Sequence, residues 1–91
     1  MPMIKISYSK PFKKSFRKKI KGDTYLEEKF PQKIQLFIVN PFSPSLKTHK
    51  LSEKLEGLWS FSVASDMRVI FLFVEKEKAV FENIVTHDEV Y

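Results

Sequence analysis

His49 to Phe71, HKLSEKLEGLWSFSVASDMRVIF, decides how this chain folds, and THDEVY at residues 86–91 completes it. The stretch opens on a polar turn and then gives two strand-like runs, Leu58 to Val63 and Arg68 to Val74. Ala64-Ser65-Asp66 forms the short turn between them. Trp59, Phe61 and Val63 share one face of the first run, and Leu58, Ser60 and Ser62 share the other. Val69 to Val74 is too apolar to face water on either side. Being short, β-branched and aromatic, it reads as the buried central strand of a sheet and not as a helix.

Outward from this stretch the periods are clear. Ile4, Ile6 and Tyr8 alternate with Lys5 and Ser7, the pattern of a half-buried strand. Ser9 is placed to cap a helix with Pro11 in its first turn. Phe12, Phe16 and Ile20 recur on one face of that helix, and Gly22 stops it. Asp23 caps a second helix, with Glu27 and Glu28 near its positive end. Leu26, Phe30, Ile34, Phe37 and Ile38 keep one phase through Pro31, where a kink or a break and restart is expected. Asn40-Pro41 ends it. A loop from Pro41 to Gly57 leads to the meander, Glu75 to Lys78 turns the chain, and Ala79 to Thr86 is the last strand. The expected fold is α+β in the order β-α-α-β-β-β, with two N-terminal helices packed on a mostly antiparallel sheet.

Ninety-one residues make one domain, taken as 1–91, and a 43% hydrophobic fraction with nine Phe excludes disorder. With no cysteine, disulfides and thiolate metal sites are ruled out. MPMIKISYS lacks the apolar centre of a signal peptide, and no run approaches the roughly 18 apolar residues that span a bilayer. A soluble, cytoplasmic protein without a membrane role is expected. Up to Gly22 there are eight Lys or Arg and no acid; from Asp23 onward eight bases meet eleven acids. The net charge of +5 therefore comes from the N-terminal quarter, which points to a polyanionic partner.

No nucleotide loop, zinc pattern or nucleophile elbow is present. Two histidines, an arginine in an apolar strand and an aromatic terminus remain: His49, His87, Arg68 and Tyr91, with Asp66 and Ser62 nearby. Cleaving RNA without a metal needs a base for the 2′-hydroxyl, cations for the phosphate and an acid for the leaving oxygen. Imidazole and guanidinium suit these tasks, and aromatic rings hold unstacked bases. Each residue also has a plain structural reading. The histidines fit solvated loop positions, Arg68 fits an ion pair with Asp66, and Asp66 fits a turn. The basic helix face, with Lys13, Lys14, Arg17, Lys18 and Lys21, fits simple solvation.

In combination, H-K-L, G-L-W-S, D-M-R-V-I-F and T-H-D-E-V-Y resemble the RelE/ParE superfamily of bacterial toxin–antitoxin toxins, and within it the RelE/YafQ-type ribosome-dependent mRNA endonucleases. SYSKPFKKSFRKKIKG and the two-helix order extend the resemblance over nearly the whole chain. It implies cleavage of mRNA on the ribosome, without metal or cofactor, and neutralisation by a cognate acidic antitoxin. By the same resemblance His49 matches a catalytic histidine, Asp66 an acidic site residue and Arg68 the arginine on the scissile phosphate. His87 matches the histidine after the last strand, and Tyr91 a C-terminal aromatic. Lys13, Lys14, Arg17, Lys18, Lys21 and Lys50 are expected to contact RNA. Ser62 departs from the pattern, standing where members commonly carry His or Arg. A gyrase inhibitor of ParE type and a catalytically silent descendant are the two alternatives.

Overall fold

The computed structural model describes residues 3–51, 57–64 and 66–90. In chain order it contains β1 (Lys5–Tyr8), α1 (Lys10–Lys19), α2 (Thr24–Val39), a 3-10 turn (Pro44–Leu46), β2 (His49–Lys50), β3 (Trp59–Ala64), β4 (Met67–Glu75), β5 (Lys78–Thr86) and α3 (His87–Val90). The strands form one sheet in the order β1-β5-β4-β3-β2. β1 runs parallel to β5 and every other pair is antiparallel. This is the expected α+β arrangement with short elements added: the 3-10 turn and the two-residue strand β2 within the loop from Pro41 to Gly57, and α3 after the last strand.

Local chemistry sets the helix boundaries. The Ser9 hydroxyl accepts the Phe12 N–H at 3.1 Å, capping α1, and donates to the Glu82 carbonyl at 2.9 Å. At the other end the Ile20 and Lys21 N–H groups both return to the Phe16 carbonyl. Gly22 then reverses the chain at φ +94°, a conformation that strains any residue with a Cβ. Asp23 caps α2 by accepting the Leu26 N–H. The helix runs without a break through Pro31. Glu27 and Pro31 are both exposed. The Glu27 carbonyl, deprived of its usual donor, thus lies on the solvent side, where the loss is small.

The core lies between the helices and one sheet face. Phe37 from α2 is fully buried against Phe61, Phe71 and Phe81 from three neighbouring strands, with ring centroids 4.9–5.2 Å away. Phe12, Ile20, Leu26 and Phe30 are buried too, while Phe16 and Ile34 pack half-buried at the margin. A register shift between β4 and β5 makes Glu82 an extra residue. That bulge explains why Phe81 and Ile84, three apart, both enter the core: it re-aims the rest of β5. Asn83 and Val85 consequently lie opposite Ile70 and Arg68 on the second face.

Candidate active site on the second sheet face

Cross-strand register decides which polar residues meet. Ser62 is paired with Arg68, and Arg68 with Val85 on the next strand. Ser60 lies between His49 on β2 and Ile70 on β4. All of these face away from Phe61, Phe71 and Phe81, as alternation requires. The far face therefore has a polar row, Ser62–Arg68, next to a row that begins with His49.

Arg68 is the best-defined member. Its Nη1 donates to the Ser62 Oγ at 3.0 Å and to the Met67 carbonyl at 3.4 Å, and the side chain is half-buried. The serine thus orients the guanidinium without neutralising it. His87 begins α3, and its N–H donates to the Asp66 carbonyl at 2.7 Å. That bond ties the end of β5 to the β3–β4 turn, so Asp66, Arg68 and His87 gather at one end of the sheet. Asp66 contributes here through its backbone, with its side chain exposed. The His87 Nδ1 is 4.0 Å from a carboxylate oxygen of Asp88.

His49 stands apart, on the edge strand. Its Nδ1 is 2.8 Å from the Lys47 carbonyl. A carbonyl only accepts, so Nδ1 carries the proton and the lone pair of the neutral ring is on Nε2. With strands about 4.8 Å apart and about 3.3 Å per residue, the Cα atoms of His49 and Arg68 lie roughly 12 Å apart. That spacing leaves room for a substrate phosphate between the two side chains. Lys50, next along β2, points to the opposite face, its Nζ 5.5 Å from the centre of the Trp59 ring. Tyr91 lies outside the described residues.

The site ends in a structural detail missed by the sequence reading. Glu89 accepts the Thr86 N–H at 2.7 Å and a hydrogen bond from the Lys19 Nζ at 2.8 Å. Lys19 holds the Glu89 carboxyl down to about 2, helped by the Thr86 N–H. Thr86-His87-Asp88-Glu89 is the threonine-x-x-glutamate signature of a capping box, which was there to be read. Lys19 also reaches the Ile84 carbonyl. It clamps α1 to β5, whereas Lys13, Lys14, Arg17, Lys18 and Lys21 are exposed. A groove of about 370 Å³ runs beside Arg68, floored by Ile70, Asn83 and Val85, with Glu82 and Glu89 along it. No helix among the described residues is long and apolar enough to cross a membrane.

Neither a protein-family model nor the sequence of a curated protein matches the chain. Solved structures do match it. A YoeB/ParE toxin from Agrobacterium tumefaciens superposes with a TM-score of 0.76 at 16% identity, over 92% of this chain and 99% of that one. A chain of the E. coli DinJ–YafQ toxin–antitoxin complex gives 0.70 at 22% identity, over 98% of both. A copper-bound mutant toxin from Helicobacter pylori gives 0.70 at 21% identity, covering 98% of this chain and all of that one. At such identities the likeness is one of fold, and the fold of this chain is that of the RelE/ParE toxins.

Proposed function

We propose that this protein is the toxin of a toxin–antitoxin pair and cleaves mRNA on the ribosome, as the RelE/YafQ-type resemblance implies. The observation that carries the reading is the Arg68 guanidinium, oriented by Ser62 and flanked by the Asp66–His87 tie. It is a phosphate-binding group in a half-buried setting with a titratable ring on the adjoining element.

In this mechanism the 2′-hydroxyl of the substrate attacks the neighbouring phosphorus while one imidazole removes its proton. Arg68 stabilises the charge that builds on the phosphate oxygens. The second imidazole protonates the departing 5′-oxygen, leaving a 2′,3′-cyclic phosphate. His49 supplies the base through Nε2, and His87, nearer to Arg68, the acid. Tyr91 stacks on or positions a base. No metal or other cofactor takes part in these steps.

The exposed lysines and arginine of α1 grip ribosomal RNA through phosphate contacts, and Lys50 joins them. The partner that silences the toxin is an acidic antitoxin. Solved complexes of YafQ with DinJ and of YoeB with YefM give precedent on this fold. Between α1 and α2 a cleft of Tyr8, Phe12, Phe16 and Phe30, rimmed by Lys13 and Arg17, offers the apolar floor and cationic rim that such a segment needs.

Primer extension on mRNA from cells expressing the protein tests the reading. In-frame cuts that disappear when translation initiation is blocked are expected. Intact mRNA with accumulated gyrase–DNA cleavage complexes would replace this reading with the gyrase-inhibiting one.

A further inference from the structure

The surroundings of Arg68 are electrically lopsided. On the β5 side the groove carries the carboxylate of Glu82 and that of Glu89, the latter already paired with Lys19. On the β3 side, beyond Ser62, a polar cleft of about 330 Å³ is lined by Tyr25, Lys29, Lys33, Ser45 and Lys47, with Ser62 itself at its margin. No carboxylate is among the described residues that line it, and none of its three lysines forms an ion pair among the described residues. A polyanion bound at Arg68 finds no surplus of cations along the first side and three lysines along the second, which draw it that way.

The backbone supports the same direction. The Leu51 N–H donates to the Leu58 carbonyl, and His49 pairs with Ser60. By the alternation of an antiparallel ladder, the N–H and C=O of Ser62 then point to that same outer edge. There the chain has already turned away, at Lys47 with φ +52°. Its left-handed conformation ends the 3-10 turn and leaves β2 only two residues long. The short strand leaves the outer edge of β3 to the cleft. Lys33 Nζ lies 3.4 Å from the Ser45 carbonyl, and Lys29 Nζ lies 5.7 Å from the centre of the Tyr25 ring. Both ammonium groups are thus held at the rim.

We propose that Lys29, Lys33 and Lys47, with Tyr25 and the outer edge of β3 at Ser62, bind the phosphodiester backbone of single-stranded RNA adjoining the phosphate held by Arg68. This deepens the endonuclease reading and rests on it for the position of the cut. Ser62 joins the two sites, since its hydroxyl orients Arg68 while its main chain borders the lysine cleft. Tyr25, half-exposed at the rim, offers a ring on which a base stacks. An acidic protein segment is the less suitable occupant because, among the described residues, Val63 and Ala64 are the cleft's only aliphatic lining, too small a floor for a large anchoring side chain.

The test measures binding of a short fluorescent single-stranded RNA, 2′-O-methylated so that it cannot be cut, between about 50 and 200 mM salt. The protein is compared with a Lys29→Gln/Lys33→Gln/Lys47→Gln variant. A control of equal charge loss, Lys5→Gln/Lys76→Gln/Lys78→Gln, lies at the other end of the sheet. Losing three phosphate contacts should flatten the slope of log K against log salt by about 2 and weaken low-salt binding by about tenfold or more. The control should keep the slope, and Lys→Arg at the three cleft positions should restore it. Equal effects of cleft and control variants, or no effect of the cleft variant, would overturn the proposal. So would a wild-type protein that ignores the RNA but binds polyglutamate through the same lysines. Lysine-dependent RNA binding without in-frame cuts would keep the cleft and remove the endonuclease reading; in-frame cuts with an unchanged slope would do the reverse.

Discussion

The two faces of the β3–β4–β5 meander are built from alternating residues of the same strands, and they carry opposite chemistry. One face presents Phe61, Val63, Val69, Phe71, Phe81 and Ile84 to the helices, every one buried. The other presents Ser60, Ser62, Arg68 and Asn83 among Ile70, Leu72 and Val85. The first face stabilises by removing aromatic surface from water. The second tolerates polar side chains because they find partners: no buried side-chain nitrogen or oxygen among the described residues lacks one. A period of two thus lets one strand serve stability and chemistry without compromise, provided that each residue keeps its face.

Substitutions should separate along that division, and the largest effect belongs to the core. Phe37→Ala removes the ring at the centre of three aromatic contacts and should cost about 3–5 kcal/mol, a large share of the stability of a small domain. Phe16→Ala, at the half-buried margin, should cost less. Urea melts that reversed this order would undo the core assignment. Next is Arg68→Ala, which should lower cleavage by about 10²–10³-fold, as loss of one preorganised charge stabiliser does. Its melting point should stay near that of the parent. A variant that cut normally would strip the second face of its chemistry.

Ser62 sharpens the comparison. Ser62→Arg puts two guanidiniums in one cross-strand pair, and like charges so placed destabilise by about 0.2–1 kcal/mol. With RNA bound, the extra cation beside the phosphate should raise cleavage by about tenfold. Normal folding with unchanged cleavage would separate Ser62 from the site. The smallest effect is electrostatic. Glu89 sits near 2 when folded against an ordinary 4.5. Its contribution to folding is complete above about pH 4.5 and is lost as pH falls toward 2. Glu89→Gln should flatten that part of the acid-unfolding curve, and an unaltered curve would show that Lys19 holds nothing at this helix end.

Much of this division is legible in the sequence because apolar and small polar residues alternate through β3, while Arg68 is the one polar residue in the apolar run from Met67 to Val74. Ser62 follows from the alternation and Arg68 from its isolation, and their hydrogen bond gives the pairing its geometry. Other parts are not legible, for physical reasons. β2 has two residues, too few to show a period, and begins only after the left-handed turn at Lys47. The bulge at Glu82 breaks the period of β5, so which of Asn83, Ile84 and Val85 face inward depends on tertiary pairing. Pro31 was expected to kink or interrupt α2. The helix is unbroken there because its missing donor falls on the exposed side, a matter of orientation that propensity does not carry. The α3 turn was encoded locally, in the capping box of Thr86 and Glu89, and could have been found. His49 and Arg68 were singled out by residue type, but the roughly 12 Å between their backbones comes only from the register.

The parallel pairing of β1 with β5 has a consequence for how the chain is made. Lys5 pairs with Lys78 and Tyr8 with Phe81, so β1 finds its partner only after β5, far later in the chain, has been synthesised. Closing so long a loop before any reward is costly, whereas the β3–β4–β5 hairpins close locally. The meander should therefore form first and β1 with α1 dock afterwards, the Ser9 hydroxyl meeting the Glu82 carbonyl across most of the sequence. Pulse-labelled hydrogen exchange should find β4 amides protected before those of β1; simultaneous protection would contradict this order. A chain emerging from the ribosome thus carries the basic segment around α1 undocked until β5 has followed, and every surface that depends on that docking exists only from then on.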